Sequence, residues 1–317
     1  MIDGKIEIGG VLPIAHTPFD DDDSIDFESL ARQINWSFDQ GANGFCTGMV
    51  SEILRLSASE RIDLHRTLAE LNAGRGVFVA SVGAESTKQA VHFAREAEAV
   101  GATAMMAIPP ISSALPVEEI VAYYRAIAGA AEIPLIIQDA SSYVGRPIPI
   151  ETCIELLDQY GPDKILFKPE AAPFGPHLSK LRDASDRRAK IFEGSGGILL
   201  IDSFRRGVSG TMPGMEMLDG IVAMWRAMKS GDEDRAYEIY YPLCAIVALQ
   251  MQAGLDGFLA VEKYLLVKQG IFASTRRRQP YSWELDPETA AEIDRLFDRL
   301  LVTLDRTYGP TPSLRQR

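Results

Sequence analysis

The sequence predicts a (β/α)8 TIM barrel followed by a C-terminal helical extension, and three observations predict it. Eight short apolar runs recur through the first part of the chain, each followed by an amphipathic stretch. The runs are near-continuous in apolar residues rather than alternating, the pattern of parallel strands buried on both faces. Eight such units in about 215 residues match the count and size of that barrel. A doubly wound sheet is the runner-up, but no GxGxxG opens a helix after the first run, as a dinucleotide site requires.

Taken in order, the strand-like runs are GVLPIAHTP (10–18), ANGFCTG (42–48), GVFVASVG (76–83), ATAMMAIPP (102–110), IPLIIQDA (133–140), KILFKPEA (164–171), AKIFEGSG (189–196) and GVSGTMPG (207–214). Between them lie helical patterns such as SIDFESLARQINWSFDQG and TKQAVHFAREAEAVG. Several open on Ser, Thr or Asp and close near Gly, the usual start and stop signals. From Leu218 the pattern is all helical: LDGIVAMWRAMKSG, DEDRAYEIYYPLCAIVALQMQ, DGFLAVEKYLLVKQG and DPETAAEIDRLFDRLLVTLDRTYG. The expected organisation is a barrel over 1–217, a helical extension over 218–305 and a tail over 306–317. Thr275–Pro280 reads as a basic connecting loop, Asp20–Asp23 as a solvated acidic turn, and Pro310–Arg317 as a frayed end.

Composition sets several function classes aside. Of 317 residues, 46% are hydrophobic and 24% charged, ordinary for a soluble globular protein. A formal net charge of -12 argues against nucleic acid or an anionic membrane surface as partner. No basic flank and apolar run marks a signal peptide, and no segment reads as long enough to span a bilayer. Cys46, Cys153 and Cys244 are odd in number and widely spaced, which fits a reduced, cytoplasmic protein. His16, His65, His92 and His177 never pair at metal-ligand spacing, so no metal site is expected.

In a barrel of this class the active site lies at the C-terminal ends of the strands. The candidates are therefore the polar residues that end the runs. They are Thr47 to Glu52 after the second, Gln138-Asp139 after the fifth, and Lys168 and Glu170 at the sixth. The seventh ends in Glu193-Gly194-Ser195-Gly196-Gly197 and the eighth in Gly210 to Gly214. Lys168 is the oddest of them, an ammonium closing the apolar run Ile165-Leu166-Phe167. Period-2 alternation places Lys168 and Glu170 on one side of the strand, although Pro169 can disturb the last step. An amine among apolar walls loses its proton more readily. A free amine condenses with a ketone to a Schiff base, an electron sink for bonds one carbon away. The competing reading is a rim lysine that only pairs with Glu170 or Asp163.

Several motifs carry a resemblance over Gly10 to about Leu301. They are the opening G-x-x-P-x-x-x-T-P-F (Gly10 to Phe19), SEILRLSASER after the second run, Pro109-Pro110, Lys168, and EGSGGILLIDSFRRGVSGTMPG. On these the chain resembles the dihydrodipicolinate synthase / N-acetylneuraminate lyase superfamily of pyruvate-type Schiff-base enzymes. The resemblance implies a barrel with a helical extension, a homotetramer, an imine on the strand-6 lysine, a small-molecule 2-keto acid substrate, and no metal or organic cofactor. Two departures matter. Where the synthase and lyase branches carry G-T-T-G-E, this chain has Gly48-Met49-Val50-Ser51-Glu52. Where they end strand 5 in a proton-relaying tyrosine, it has Gln138-Asp139-Ala140, and a second family tyrosine is replaced around Pro110-Ile111. QDA at 138–140, FKPE at 167–170, SE at 51–52 and EGSGG at 193–197 resemble the L-2-keto-3-deoxyarabonate dehydratase branch instead.

That branch implies roles. Lys168 forms the imine with a 2-keto-3-deoxy sugar acid, Glu170 moves protons, and Gln138 hydrogen-bonds a substrate hydroxyl. The backbone around Gly48, Met49 and Val50, with the Ser51 hydroxyl, takes the substrate carboxylate. Glu52 is expected to brace that turn. Glu193, Gly194, Ser195 and Gly196 are expected to line the ligand, the glycines letting backbone approach it. Arg146 reads as a surface or interface residue, and Met105, Met106, Met212, Met215 and Met217 as core or pocket walls. A pyruvate-releasing aldolase or condensing enzyme using the same lysine, and a keto-acid-binding barrel without catalysis, are the alternatives.

Overall fold

A computed structural model of the chain describes residues 7–308. In chain order its first half runs β1 (Gly10–Val11), α1 (Phe27–Asp39), β2 (Gly44–Cys46), α2 (Ala58–Asn72), β3 (Val77–Ser81), α3 (Thr87–Ala99), β4 (Ala104–Ala107), α4 (Val117–Ala128), β5 (Leu135–Asp139) and α5 (Ile150–Tyr160). There follow β6 (Ile165–Pro169), α6 (Phe174–Ala184), β7 (Phe192–Glu193), α7 (Leu200–Arg205), β8 (Gly210–Thr211), α8 (Leu218–Ser230), α9 (Glu233–Gln250), α10 (Gly254–Lys268) and α11 (Pro287–Tyr308). This is the (β/α)8 class with a C-terminal helical extension. Each strand falls inside its expected run. The expected frayed end, Pro310–Arg317, lies outside the described residues.

The strands are shorter than the runs, and β1, β7 and β8 hold two residues each. Pro13 and Pro213 have no N–H to give a ladder, and glycine-rich turns follow β7 and β8. The chain divides into two compact units.

The first unit holds Ser57–Gly194 and Asp202–Thr211. Here β3, β4, β5 and β6 pair in parallel in sequence order, Phe167 of β6 bridges to Ile191, and β7 pairs with β8. Every residue of β3 to β6 is buried, which explains why their sequences do not alternate. Helix α2 starts on a reciprocal cap. The Ser57 hydroxyl accepts from the Glu60 N–H at 3.3 Å while Glu60 Oε2 accepts from the Ser57 N–H at 2.7 Å. From the same helix, buried Arg61 reaches the end of β3 and donates to the carbonyls of Ser81 and, at 2.8 Å, Gly83. Its guanidinium also lies 4.3 Å from the Phe93 ring centroid.

The second unit holds Gly10–Leu56, Ser195–Ile201 and the chain from Met212 onward. Ile14 and Cys46 form a parallel bridge beside β1 and β2. Leu30 and Ile34 of α1, Ile221 of α8, Leu243 and Ile246 of α9, Leu265 of α10 and Leu300 of α11 are all buried. Each such side chain contributes roughly 1.5–3 kcal/mol by leaving water. The Thr275–Pro280 loop is pinned rather than free. Arg276 pairs with Asp23 of the acidic turn at 2.8 Å, and Arg277 stacks 4.0 Å from the Tyr281 ring centroid. One sequence expectation is corrected here. Glu233–Lys268 is long and apolar enough to cross a membrane by length and composition. It is apolar because it builds the extension's core, and it buries Gln250, Asp256, Glu262 and Lys263 there.

Candidate active site

Strand β6 supplies the site through its register with β5. Gln138 lies opposite Lys168 in the ladder, and the Glu170 N–H donates to the Asp139 carbonyl at 2.8 Å, carrying the pairing one residue past the strand. Lys168 and Glu170 therefore share a side, as period-2 alternation predicts. Lys168 Nζ donates to Glu170 Oε2 at 3.0 Å, and Gln138 Nε2 donates to the same oxygen at 2.7 Å. The three are only 4%, 2% and 3% exposed, so the charges face each other with little water between them. Burial raises the Glu170 carboxyl above its ordinary range, while Lys168 and the Gln138 bond draw it back and nearby Glu193 adds to the rise. A carboxyl held this way keeps a proton more readily than an exposed one.

Gly194 closes the site from β7. A Cβ there would lie 2.5 Å from Lys168 Cε and closer still to Glu170 Oε1. Only glycine lets these side chains lie against the backbone. Glu193, also buried, accepts a hydrogen bond from the Thr211 hydroxyl across the β7–β8 ladder. Lys168, Glu170, Gln138, Glu193 and Gly194 are thus brought together. Asp139 shapes the following loop, its carboxylate accepting from the N–H groups of Ser141 at 2.9 Å and Ile148 at 2.7 Å. The Ser142 hydroxyl donates to the Glu170 carbonyl. The role of Thr211 was not visible in the sequence, because it depends on a neighbouring strand.

Buried Tyr123 and Tyr124 offer no replacement for the lost phenols. Their hydroxyls bond the carbonyls of Ile108 and Ala107, each at 3.2 Å. Burial pushes Tyr123 up to about 12 and Tyr124 well above the usual range.

The second unit holds the other predicted residues. Gly48 leads into a 3-10 turn over Met49–Ser51. The Ser51 hydroxyl accepts from the Gly48 N–H at 3.0 Å and donates to the Ala15 carbonyl, while the Thr17 hydroxyl donates to the Ser51 carbonyl at 2.6 Å. Ser51 thus fixes the turn, and Thr17, the threonine of the opening motif, joins it. Glu52, at φ 56, braces the turn from below through its ion pair with Lys263 and the Arg278 N–H at 2.8 Å. Ser195 accepts from the Leu199 N–H at 2.9 Å, and Gly196 takes φ 69. Arg146 is exposed.

Similarity to known proteins runs along nearly the whole chain. The dihydrodipicolinate synthetase family profile matches residues 7–298. The L-2-keto-3-deoxyarabonate dehydratase of Azospirillum brasilense is 29% identical over 299 residues, 92% of this chain and 94% of that protein. The 4-hydroxy-tetrahydrodipicolinate synthase of Synechococcus sp. is 31% identical over 194 residues, 61% of this chain and 63% of that protein. The crystal structure of dihydrodipicolinate synthase from Rhodopseudomonas palustris superposes with a TM-score of 0.80 at 26% identity, covering 92% of this chain and 97% of that one. The 4-hydroxy-tetrahydrodipicolinate synthase of Methylacidiphilum fumariolicum has the same fold, with a TM-score of 0.85 at 22% identity over 95% and 98% of the two chains. With the profile spanning nearly all of it, the chain belongs to the dihydrodipicolinate synthetase family.

Proposed function

We propose that the protein is a Schiff-base-forming lyase that dehydrates a 2-keto-3-deoxy sugar acid, with 2-keto-3-deoxy-L-arabonate as the substrate. The observation that carries this reading is Gln138. It occupies the strand position opposite Lys168 and holds Glu170 Oε2 at 2.7 Å, where the synthase branch would present a phenol. The 29% identity to a dehydratase along 92% of the chain supports it.

In the proposed sequence Lys168 attacks the C2 ketone and water leaves, giving an iminium. Glu170, already in contact with the amine, removes a C3 proton to give the enamine. The enamine then expels the C4 hydroxyl, which departs as water with a proton returned by the acid. Loss of a C5 proton, tautomerisation and hydrolysis of the imine yield 2-oxoglutarate semialdehyde, a net loss of one water. Gln138 has no proton to exchange, so its amide orients Glu170 and the departing hydroxyl. The substrate carboxylate is assigned to the backbone of Gly48, Met49 and Val50 in the turn that Ser51 fixes. Glu193, Gly194, Ser195 and Gly196 are assigned to substrate binding as well.

The matches to 4-hydroxy-tetrahydrodipicolinate synthases favour one alternative, a condensing or aldolase reaction at the same lysine. An aldolase must deprotonate the C4 hydroxyl, which an amide cannot do. Incubation with 2-keto-3-deoxy-L-arabonate, coupled to an NADP-linked semialdehyde dehydrogenase, separates the two. Dehydration gives NADPH; release of pyruvate without NADPH overturns the reading.

A further inference from the structure

The second unit contains a polar cluster that the lysine chemistry leaves unused. His16, Glu216 and Glu262 lie with one ligand atom each within 4.8 Å of one another, and all three are buried. His16 ends the first apolar run, Glu216 follows the β8 turn, and Glu262 is on α10. His16 Nε2 meets Glu262 Oε2 at 2.7 Å. Gln250 Nε2 donates to Glu216 Oε1 at 2.8 Å.

The cluster is short of positive charge. The nearest cation, Lys263, is committed to Glu52 and to the Arg276 carbonyl at 2.7 Å. Two carboxyl groups thus lie buried side by side, and buried acidic groups are ordinarily hydrogen-bonded, paired or bound to metal. Polar atoms are left over as well. Glu216 Oε2, Gln250 Oε1 and His16 Nδ1 are buried and have no hydrogen-bond partner among the described residues. Gly214 adds a steric sign of the same site. A Cβ there would lie 2.6 Å from Glu262 Oε1 and closer still to Glu216 Oε2, so the chain leaves the space beside both carboxylates unfilled by a side chain.

We propose that His16, Glu216 and Glu262 bind one divalent first-row transition-metal ion, of the zinc or manganese class, as a buried structural site. One neutral imidazole nitrogen and two carboxylates are a ligand set that zinc and its neighbours accept. Ligand atoms about 2.1 Å from one ion lie no more than about 4.2 Å apart, so the trio closes on it with a small side-chain adjustment. Through Lys263 and Glu52, the ion would stiffen the chain that carries the Met49–Ser51 turn. The three ligands lie 200 and 46 residues apart, which is why histidine spacing alone gave no sign of them.

The test uses the full chain with any affinity tag removed. Protein produced with zinc or manganese supplied is dialysed and its metal content measured. A chelator-stripped sample is then titrated with Co²⁺ alone, following its visible d–d absorption. The expected result is one ion per chain and a cobalt spectrum showing nitrogen ligation. Glu216→Gln and Glu262→Gln preserve shape while removing charge, so they should fold and yet lose more than about 100-fold in affinity. Zinc should raise the melting temperature of the parent and leave both variants unmoved. Absence of stoichiometric metal, or metal retained equally by both variants, overturns the proposal.

Discussion

At the scale of residues, Glu170 Oε2 is the hub of the site, taking one hydrogen bond from Lys168 and another from Gln138. Glu170→Gln should lower kcat by about 10²–10⁴-fold. It should still form a pyruvate imine, which borohydride trapping followed by mass spectrometry would show. Gly194→Ala should cost roughly 1–3 kcal/mol of stability in a urea melt, because its methyl meets Lys168 Cε at 2.5 Å. Activity in that variant should fall with it. The lysine and its carboxylate were legible because a charged pair at the end of an apolar strand has no reason to be there in a plain core. The need for glycine at 194 was hidden, since it arises from side chains on the adjacent strand. Glu216 and Glu262 were hidden because only the fold brings residues so far apart in the chain together with His16.

At the scale of elements, two arginines on α2 show how context decides what a charge is worth. Arg61 is buried and its guanidinium satisfies the carbonyls that end β3; burial lowers its pKa to about 10. Arg61→Ala should lose about 3 kcal/mol, since it strands those carbonyls and opens a void. Arg66 pairs with Asp63 at 2.8 Å, but both side chains are more than half exposed. Arg66→Ala should change stability by less than about 0.5 kcal/mol in the same denaturant titration. His65, also on α2, carries a pH dependence. Burial, with Arg61 adding to it, lowers its pKa from 6.5 to about 3. Below 6.5 the unfolded chain takes a proton that the folded one refuses, so stability is lost as pH falls from 6.5 towards 3. The single group contributes a slope of up to about 1.4 kcal/mol per pH unit across that window. His65→Phe, measured by thermal melts at several pH values, should show a shallower acid limb than the parent. Helix positions were readable from caps such as Ser57 and Glu60. The extents of β1, β7 and β8 were not, because Pro13, Pro213 and the glycine turns end pairing inside an unbroken apolar run.

At the scale of the whole molecule, the eightfold alternation of strand and helix was legible from periodicity. The helical extension was legible from the loss of strand-like runs after Leu218. The resemblance adds one expectation, that four copies of the 34.8 kDa chain associate, which light scattering on a sizing column would check. What makes the molecule an enzyme, on this account, is one amine. The direct measurement is reduction of the protein with borohydride in the presence of pyruvate, followed by peptide mass mapping. The account predicts an adduct on the peptide holding Lys168, absent from Lys168→Ala. No adduct, or one seated on Lys164 or Lys263 instead, would contradict it.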